Sequence, residues 1–586
     1  MFKTGQDKTR LIQVFVMIAA TLSVMAQNSI FSNLPQTVDY RDATITDVGV
    51  VATDIYQWEV TDETTGKIDT VYTTQEYILW ESDGDIELQA EAIRAEGLSR
   101  AKKAAVNTEF REGSLKDGWL CNFSYYVFKY DYPSVNADGN DVRLSAIGAC
   151  PTIGGCKEVR DVVIGTHITI TANRECPSST TKGFDTQDWG VLMSLAAGPK
   201  IKLGWKSNLF FLGIGMTGFG AVTNKLWLGL TISTEMASSE PSNNYNLVIM
   251  PDYEGYGISV SSAHPYLYQE LTARQVIDAT RYGIALYNYS PATDAIRHPI
   301  RSNFRTISCG YSQGGSVALA THRFIEQNGL VDELHFVGSI CGDGPYDPMA
   351  TLMFYMEQDL AGKPMKMPVV LPLIVKGMLD SNPYMKFHKT TDYFTQEFLD
   401  TGIMKWLTDK QLNTDQIAAL WKQMGQNGQT TVFDSNGNAM MHDIMTPECY
   451  NYFKDIYLNN KDTYKTAGVP MPSRRGVNED LHYALASNDM TEGWTPQHAI
   501  LLFHSNSDNV VPYANAERAK AKFGDWAVLH TSKLGHDHVD SGTDFFQSDS
   551  YFDLAMSLDL RTFMAKHRLC NLPWNGQTTN NIPTSW

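Results

Sequence analysis

The feature that most restricts this chain is Gly310-Tyr311-Ser312-Gln313-Gly314, a G-x-S-x-G pattern set between two unlike neighbours. Phe304–Ser308 before it is an apolar, β-branched run that predicts a buried strand. Gly314–Gln327 after it places Val317, Leu319, Ala320 and Phe324 at helical spacing. A serine between strand and helix sits on a tight turn that lifts its hydroxyl clear of the sheet edge. Glycines on either side keep Cβ atoms out of that turn. At average glycine and serine usage such a pattern arises by chance on the order of 0.2 times in a chain of this length. The flanking strand and helix therefore carry the argument, against the alternative of an ordinary Gly-rich turn with an inert serine.

A serine hydroxyl is a poor nucleophile until a base takes its proton and a carboxylate orients that base. On a strand–turn–helix serine the partners follow in the order acid, then histidine, each in a loop after a strand. Ala499–Phe503 predicts a strand, and the loop His504–Pro512 that follows contains Asp508. The next predicted strand, Trp526–Leu529, leads to Leu534-Gly535-His536-Asp537-His538-Val539-Asp540. His536 and His538 compete for the base. A helix beginning soon after Gly542 lies closer to His538, which is preferred, with His536 as the alternative. His504 also lies near Asp508, but it ends a strand, where a structural role is the plainer reading. A metal site on His536-Asp537-His538 would need further ligands than the one nearby carboxylate, and no metal or other cofactor is expected.

An acyl-transfer oxyanion needs two preorganised N–H donors. One is expected from the backbone of Gln313, at the start of the helix. The other is expected from the segment Thr166–Thr171 after an early strand, with Thr169 N–H as the candidate. Tyr253, Tyr256 and Tyr311 are candidates for lining the site, with aromatic packing as the alternative for each.

The 586 residues leave room for a large core plus insertions. Lys3, Lys8 and Arg10 precede an apolar run from Leu11 to Met25, and Val24-Met25-Ala26 offers a small-residue cleavage site. That layout predicts a signal peptide over 1–26 and export, with a retained anchor as the alternative. The formal charge of −18 argues against nucleic acid and against adhesion to anionic lipid. No stable membrane span is expected elsewhere.

Short apolar strands alternating with helices predict a doubly wound, mainly parallel sheet: Val162–Ile170, Leu247–Met250, Phe304–Ser308, Leu334–Ile340, Ala499–Phe503 and Trp526–Leu529. Helices are predicted over Thr272–Tyr287, Gly314–Gln327, Asn515–Phe523 and Tyr551–His567. Residues 27–115 are polar and patchy, with one helical segment over Ile86–Ala105, and read as an N-terminal annex. The core then occupies 116–349, with an insertion at about 180–235, and resumes at 481–586. Between them, 350–480 reads as a helical cap or lid. In it, Phe398, Ile403, Trp406 and Leu407 read as one side of one helix, and Met367–Leu379 as either a pocket wall or cap core. Cys150 and Cys156 flank a short loop and are spaced for a small disulfide, with Cys176 as a competitor. Cys309 and Cys341 read as buried thiols.

Met250–Ser259, His264-Pro265-Tyr266-Leu267, Val276–Arg281, Gly310–Gly315, Gly344-Pro345-Tyr346-Asp347, His504–Asn515 and His538–Gly542 together resemble the secretory lipase family of α/β hydrolases. The blocks are spread over residues 120–570. The resemblance implies an α/β-hydrolase core with a helical cap, export, and hydrolysis of acyl esters through Ser312, Asp508 and His538. Where that family commonly reads His-Gly-Thr in its oxyanion strand, this chain has His167-Ile168-Thr169. An exported esterase or lipase acting on a small-molecule or lipid ester is the expectation. A serine peptidase of the prolyl-oligopeptidase type and a non-catalytic binding protein on the same scaffold are the alternatives.

Overall fold

The computed structural model describes residues 31–61, 68–86, 88–89, 113–151, 158–179 and 245–547. The expected signal peptide, most of the Ile86–Ala105 helix, the 180–235 insertion, Cys156 and the Tyr551–His567 helix lie outside the described residues.

Ten strands form one sheet in the order β10-β9-β8-β7-β5-β6-β4-β3-β1-β2. They are β1 (Thr44–Thr61), β2 (Ile68–Trp80), β3 (Gly113–Val135), β4 (Asp141–Pro151), β5 (Val159–Thr166), β6 (Tyr245–Pro251), β7 (Thr306–Tyr311), β8 (Phe336–Gly342), β9 (Ala499–Ser505) and β10 (Ala527–Ser532). From β10 across to β6 every pairing is parallel. From β6 through β4, β3 and β1 to β2 every pairing is antiparallel. Residues 44–80, read above as part of an annex, are thus strands of the same sheet.

The parallel strands are buried on both faces, which is why their sequences run apolar without alternation. Val163, Ile307, Leu501 and Phe503 pack on one face. Ile164, Ile500 and Leu502 pack on the other, against helices α1 (Gln269–Tyr289) and α2 (Gln313–Gln327). Strand ends differ from expectation by a few residues. β5 stops at Thr166, so His167–Ile170 leaves the sheet as a loop.

The cap follows β8. Asp347 accepts from Met349 N at 2.9 Å and caps α3 (Pro348–Leu360), with Pro348 in the first turn where no N–H is needed. α4 (Val370–Ser381), α5 (Thr414–Gln426), α6 (Pro447–Asn460) and α7 (Val477–Ala486) come next. α4 answers both readings of its sequence. Leu371, Val375 and Met378 are buried in the cap core, while Val370 and Ile374, one turn apart, face a pocket. The single helix expected through Phe398 and Trp406 is instead two, Gln396–Asp400 and Ile403–Asp409, broken where Gly402 adopts φ 88°. After β9 the core closes with α8 (Ala514–Phe523) and α9 (His538–Gln547). Among the described residues no helix is long and apolar enough to cross a membrane.

Candidate active site

The turn from β7 into α2 is tight enough to dictate its sequence. Ser312 sits between them at φ 58°, ψ −124°, a region that costs a side-chain-bearing residue free energy and marks strained functional turns. Its N–H donates to Gly342 O at 2.8 Å, tying the turn to the end of β8. A Cβ on Gly310 would lie 2.1 Å from Thr166 Oγ1 and 2.4 Å from Gly314 O. One on Gly314 would lie 2.1 Å from Thr166 O, and one on Gly315 2.3 Å from Gly342 O. These contacts need three glycines, and the chain has them.

Three of the expected residues meet at this turn. His538, the first residue of α9, has Nε2 2.9 Å from Ser312 Oγ. Its Nδ1 lies 2.6 Å from Asp508 Oδ2. A carboxylate only accepts, so Nδ1 carries the imidazole proton and the Nε2 lone pair faces the serine. Asp508 is fixed in turn, its Oδ1 accepting from Val510 N and Val511 N at 2.8 Å each. Burial opposes Asp508's ionisation, but His538 and His504 beside it hold it well below the usual carboxylate range. Burial pushes His538 down, while the charge and hydrogen bond of Asp508 hold it above the ordinary histidine value of 6.5.

His536 is not brought to the serine. It is half exposed, with Nδ1 2.9 Å from both carboxylate oxygens of Asp544. Gln313 opens α2, and its side-chain amide lies 3.1 Å from His264 Nε2. Thr169 lines the pocket beside Ser312, with Oγ1 2.9 Å from Tyr266 OH. The segment before it is anchored by the buried His167 ring, stacked on Tyr253 at 3.9 Å, with Nε2 3.1 Å from Asp252 O. Burial pushes His167 to about 4, so the ring is neutral. Of the three candidate tyrosines, Tyr311 lines the pocket. Tyr256 instead braces the same loop by donating to Ile170 O at 2.6 Å, and Tyr253 packs on His167.

The pocket is a cavity of about 110 Å³ opening on Ser312 and His538. Its walls are mainly apolar: Ile168 from the core, Met367, Val370 and Ile374 from the helices after β8, Val510 from the loop that brings Asp508, and Val539 next to His538 in α9. Cys309 and Cys341 are buried thiols in β7 and β8, and burial raises both thiols well above their ordinary value.

One residue at the site was passed over in the sequence. Asp343, buried at the end of β8, accepts from Tyr311 OH at 2.9 Å and from Ser541 Oγ at 2.6 Å. Like Asp508 it lies just past a parallel strand, but the order acid, then histidine gives a role to only one acid.

A parallel half-sheet with a strained serine elbow after its β7 strand, and a cap between β8 and β9, is an α/β-hydrolase fold. No protein-family model matches the chain, and no curated protein does. Among solved structures, a mutant of the rice cell wall degrading esterase LipA from Xanthomonas oryzae is 18% identical. The match covers 76% of this chain and 93% of that one, with a TM-score of 0.50. Candida antarctica lipase A is 14% identical over 74% of this chain and 78% of its own, with a TM-score of 0.44. The first of these likenesses shows the fold.

Proposed function

We propose that this protein is an exported serine hydrolase that cleaves carboxylic esters through an acyl-enzyme. The observation that carries the reading is the unbroken hydrogen-bonded chain Ser312 Oγ–His538–Asp508 at the mouth of an apolar pocket. In the first half-reaction His538 Nε2 takes the Ser312 proton while Oγ attacks the ester carbonyl. The N–H groups of Gln313 and Thr169 hold the oxyanion, each worth about 3 kcal/mol in the barrier. Collapse expels the alcohol, which leaves with the proton from His538. Water then repeats the sequence on the acyl-serine and releases the acid. No metal or nucleotide is called for by this chemistry.

The pocket size bears on the substrate. About 110 Å³ is less than the roughly 150 Å³ that admits benzene in an engineered cavity, which favours short acyl groups. The test is a rate profile of the purified protein on p-nitrophenyl esters of C2 to C16 acids, run beside aminoacyl-p-nitroanilides. Ester turnover with an optimum at short chains is expected. Anilide turnover without ester preference would replace the reading by a peptidase, and no turnover of either class would leave a binding protein on a hydrolase scaffold.

A further inference from the structure

Beneath Asp508 lies a group the mechanism above does not use. Polar atoms of Asp343, His504 and Asp508 lie within 4.8 Å of one another, and all three residues are buried. His504 Nε2 is 3.0 Å from Val511 O, an oxygen that can only accept, so that nitrogen carries a proton. The same nitrogen is 3.5 Å from Asp508 Oδ2, the oxygen that also faces His538. His504 Nδ1 is buried with no hydrogen-bond partner among the described residues. A second carboxylate, Asp343, stands within reach of that ring, and a cation between two buried acids this close favours ionisation of both. Asp343 also reaches the base by a second route. Tyr311 OH lies 2.9 Å from Asp343 Oδ2 and 2.6 Å from His538 O. One phenol proton faces two acceptors, so Tyr311 links Asp343 to the His538 carbonyl.

Resting on the esterase reading, we propose that Asp343 and His504 are an opposed pair of positioning residues that set the pH range in which His538 is a base, acting through Asp508 and Tyr311. The electrostatics agree with the geometry. Burial works against a charge on His504, but Asp343 and Asp508 hold it up at about 9. Burial raises Asp343 to about 6. Asp343 raises His538 and His504 lowers it, so the two pull in opposite directions. Among the described residues, the other titratable groups around this cluster include Tyr311 from β7, His536, Asp537, Asp540 and Asp544 on or beside α9, Tyr266, Glu175 and Asp415 across the pocket, and Tyr513 against the His504 ring. None of these is altered in the variants below.

The test is the pH profile of kcat/KM for p-nitrophenyl butyrate hydrolysis by the protein and by Asp343→Asn, His504→Gln and the double variant. Removing the Asp343 charge lowers His538, since Asp508 still keeps His504 charged, and moves the acid limb down by about half to one pH unit. His504→Gln moves it up. The double variant returns it close to the parent position, and KM changes little throughout. Limbs that stay put, or that move in the same direction in both single variants, overturn the proposal, even where thermal unfolding shows a loss of stability. Should one single variant fail to fold, the other still has a signed prediction. An inactive parent protein would instead overturn the esterase reading itself.

Discussion

At the residue scale, the site depends on which atoms face which. Ser312 meets His538 and not His536, because α9 begins at His538 and presents its ring to the elbow while His536 is held by Asp544. His538→Ala is therefore expected to lower kcat/KM for esters by ~10³-fold or more, and His536→Ala by less than about tenfold. The reverse ranking would move the base to His536. Catalysis needs His538 neutral, and its proton affinity is raised in the fold. Activity should consequently fall as pH drops through a midpoint above about 6.5, the ordinary histidine value. A midpoint below that value in the unmodified protein would contradict the arrangement. Ser312, Asp508 and His538 were legible because order and strand-end position constrain all three. Asp343 was not, because chain order gives no sign that a second strand-end acid lies under the first.

At the element scale, the site depends on β7, β8 and α2 approaching within glycine distance, and on the cap being fastened to the core. The fastening is ionic. Arg518 of α8 pairs with Asp347, which caps α3, and with Asp489 at 2.5 Å and Glu492 at 3.1 Å beyond α7. Burial and the neighbouring Asp489 charge lift Asp347 to about 7. Arg518→Ala strands two buried carboxyls and is expected to cost about 3–5 kcal/mol of stability, read by denaturant unfolding. A loss under about 1 kcal/mol would show that the pairing holds nothing. The parallel strands were readable from sequence because they are buried on both faces. β1 and β2 were not, since antiparallel strands tolerate a polar face and their Thr- and Asp-rich sequence reads as loop. β5 was read too long, its apolar run continuing into His167–Ile170 because that loop packs under Tyr253 and Tyr256.

At the scale of the whole molecule, the core and the helices between β8 and β9 share one pocket, with Ser312 and His538 on one wall and Met367, Val370 and Ile374 on the other. The helical stretch between β8 and β9 was visible as a long interruption, but which of its residues face the pocket depends on tertiary packing, which periodicity alone does not give. Val370→Trp narrows the pocket that Val370 shares with Ser312 and His538. It should shift the chain-length optimum toward acetate and depress C8 and longer esters at least about tenfold relative to C2. An unchanged profile would place the acyl group elsewhere. The central claim, that Ser312 is the nucleophile, is tested most directly by incubating the protein with diethyl p-nitrophenyl phosphate and locating the adduct by peptide mass. One diethylphosphoryl group on Ser312, with stoichiometric release of p-nitrophenol and loss of ester turnover, is the predicted result, absent in Ser312→Ala. Labelling of another residue, or full ester turnover by Ser312→Ala, would contradict it.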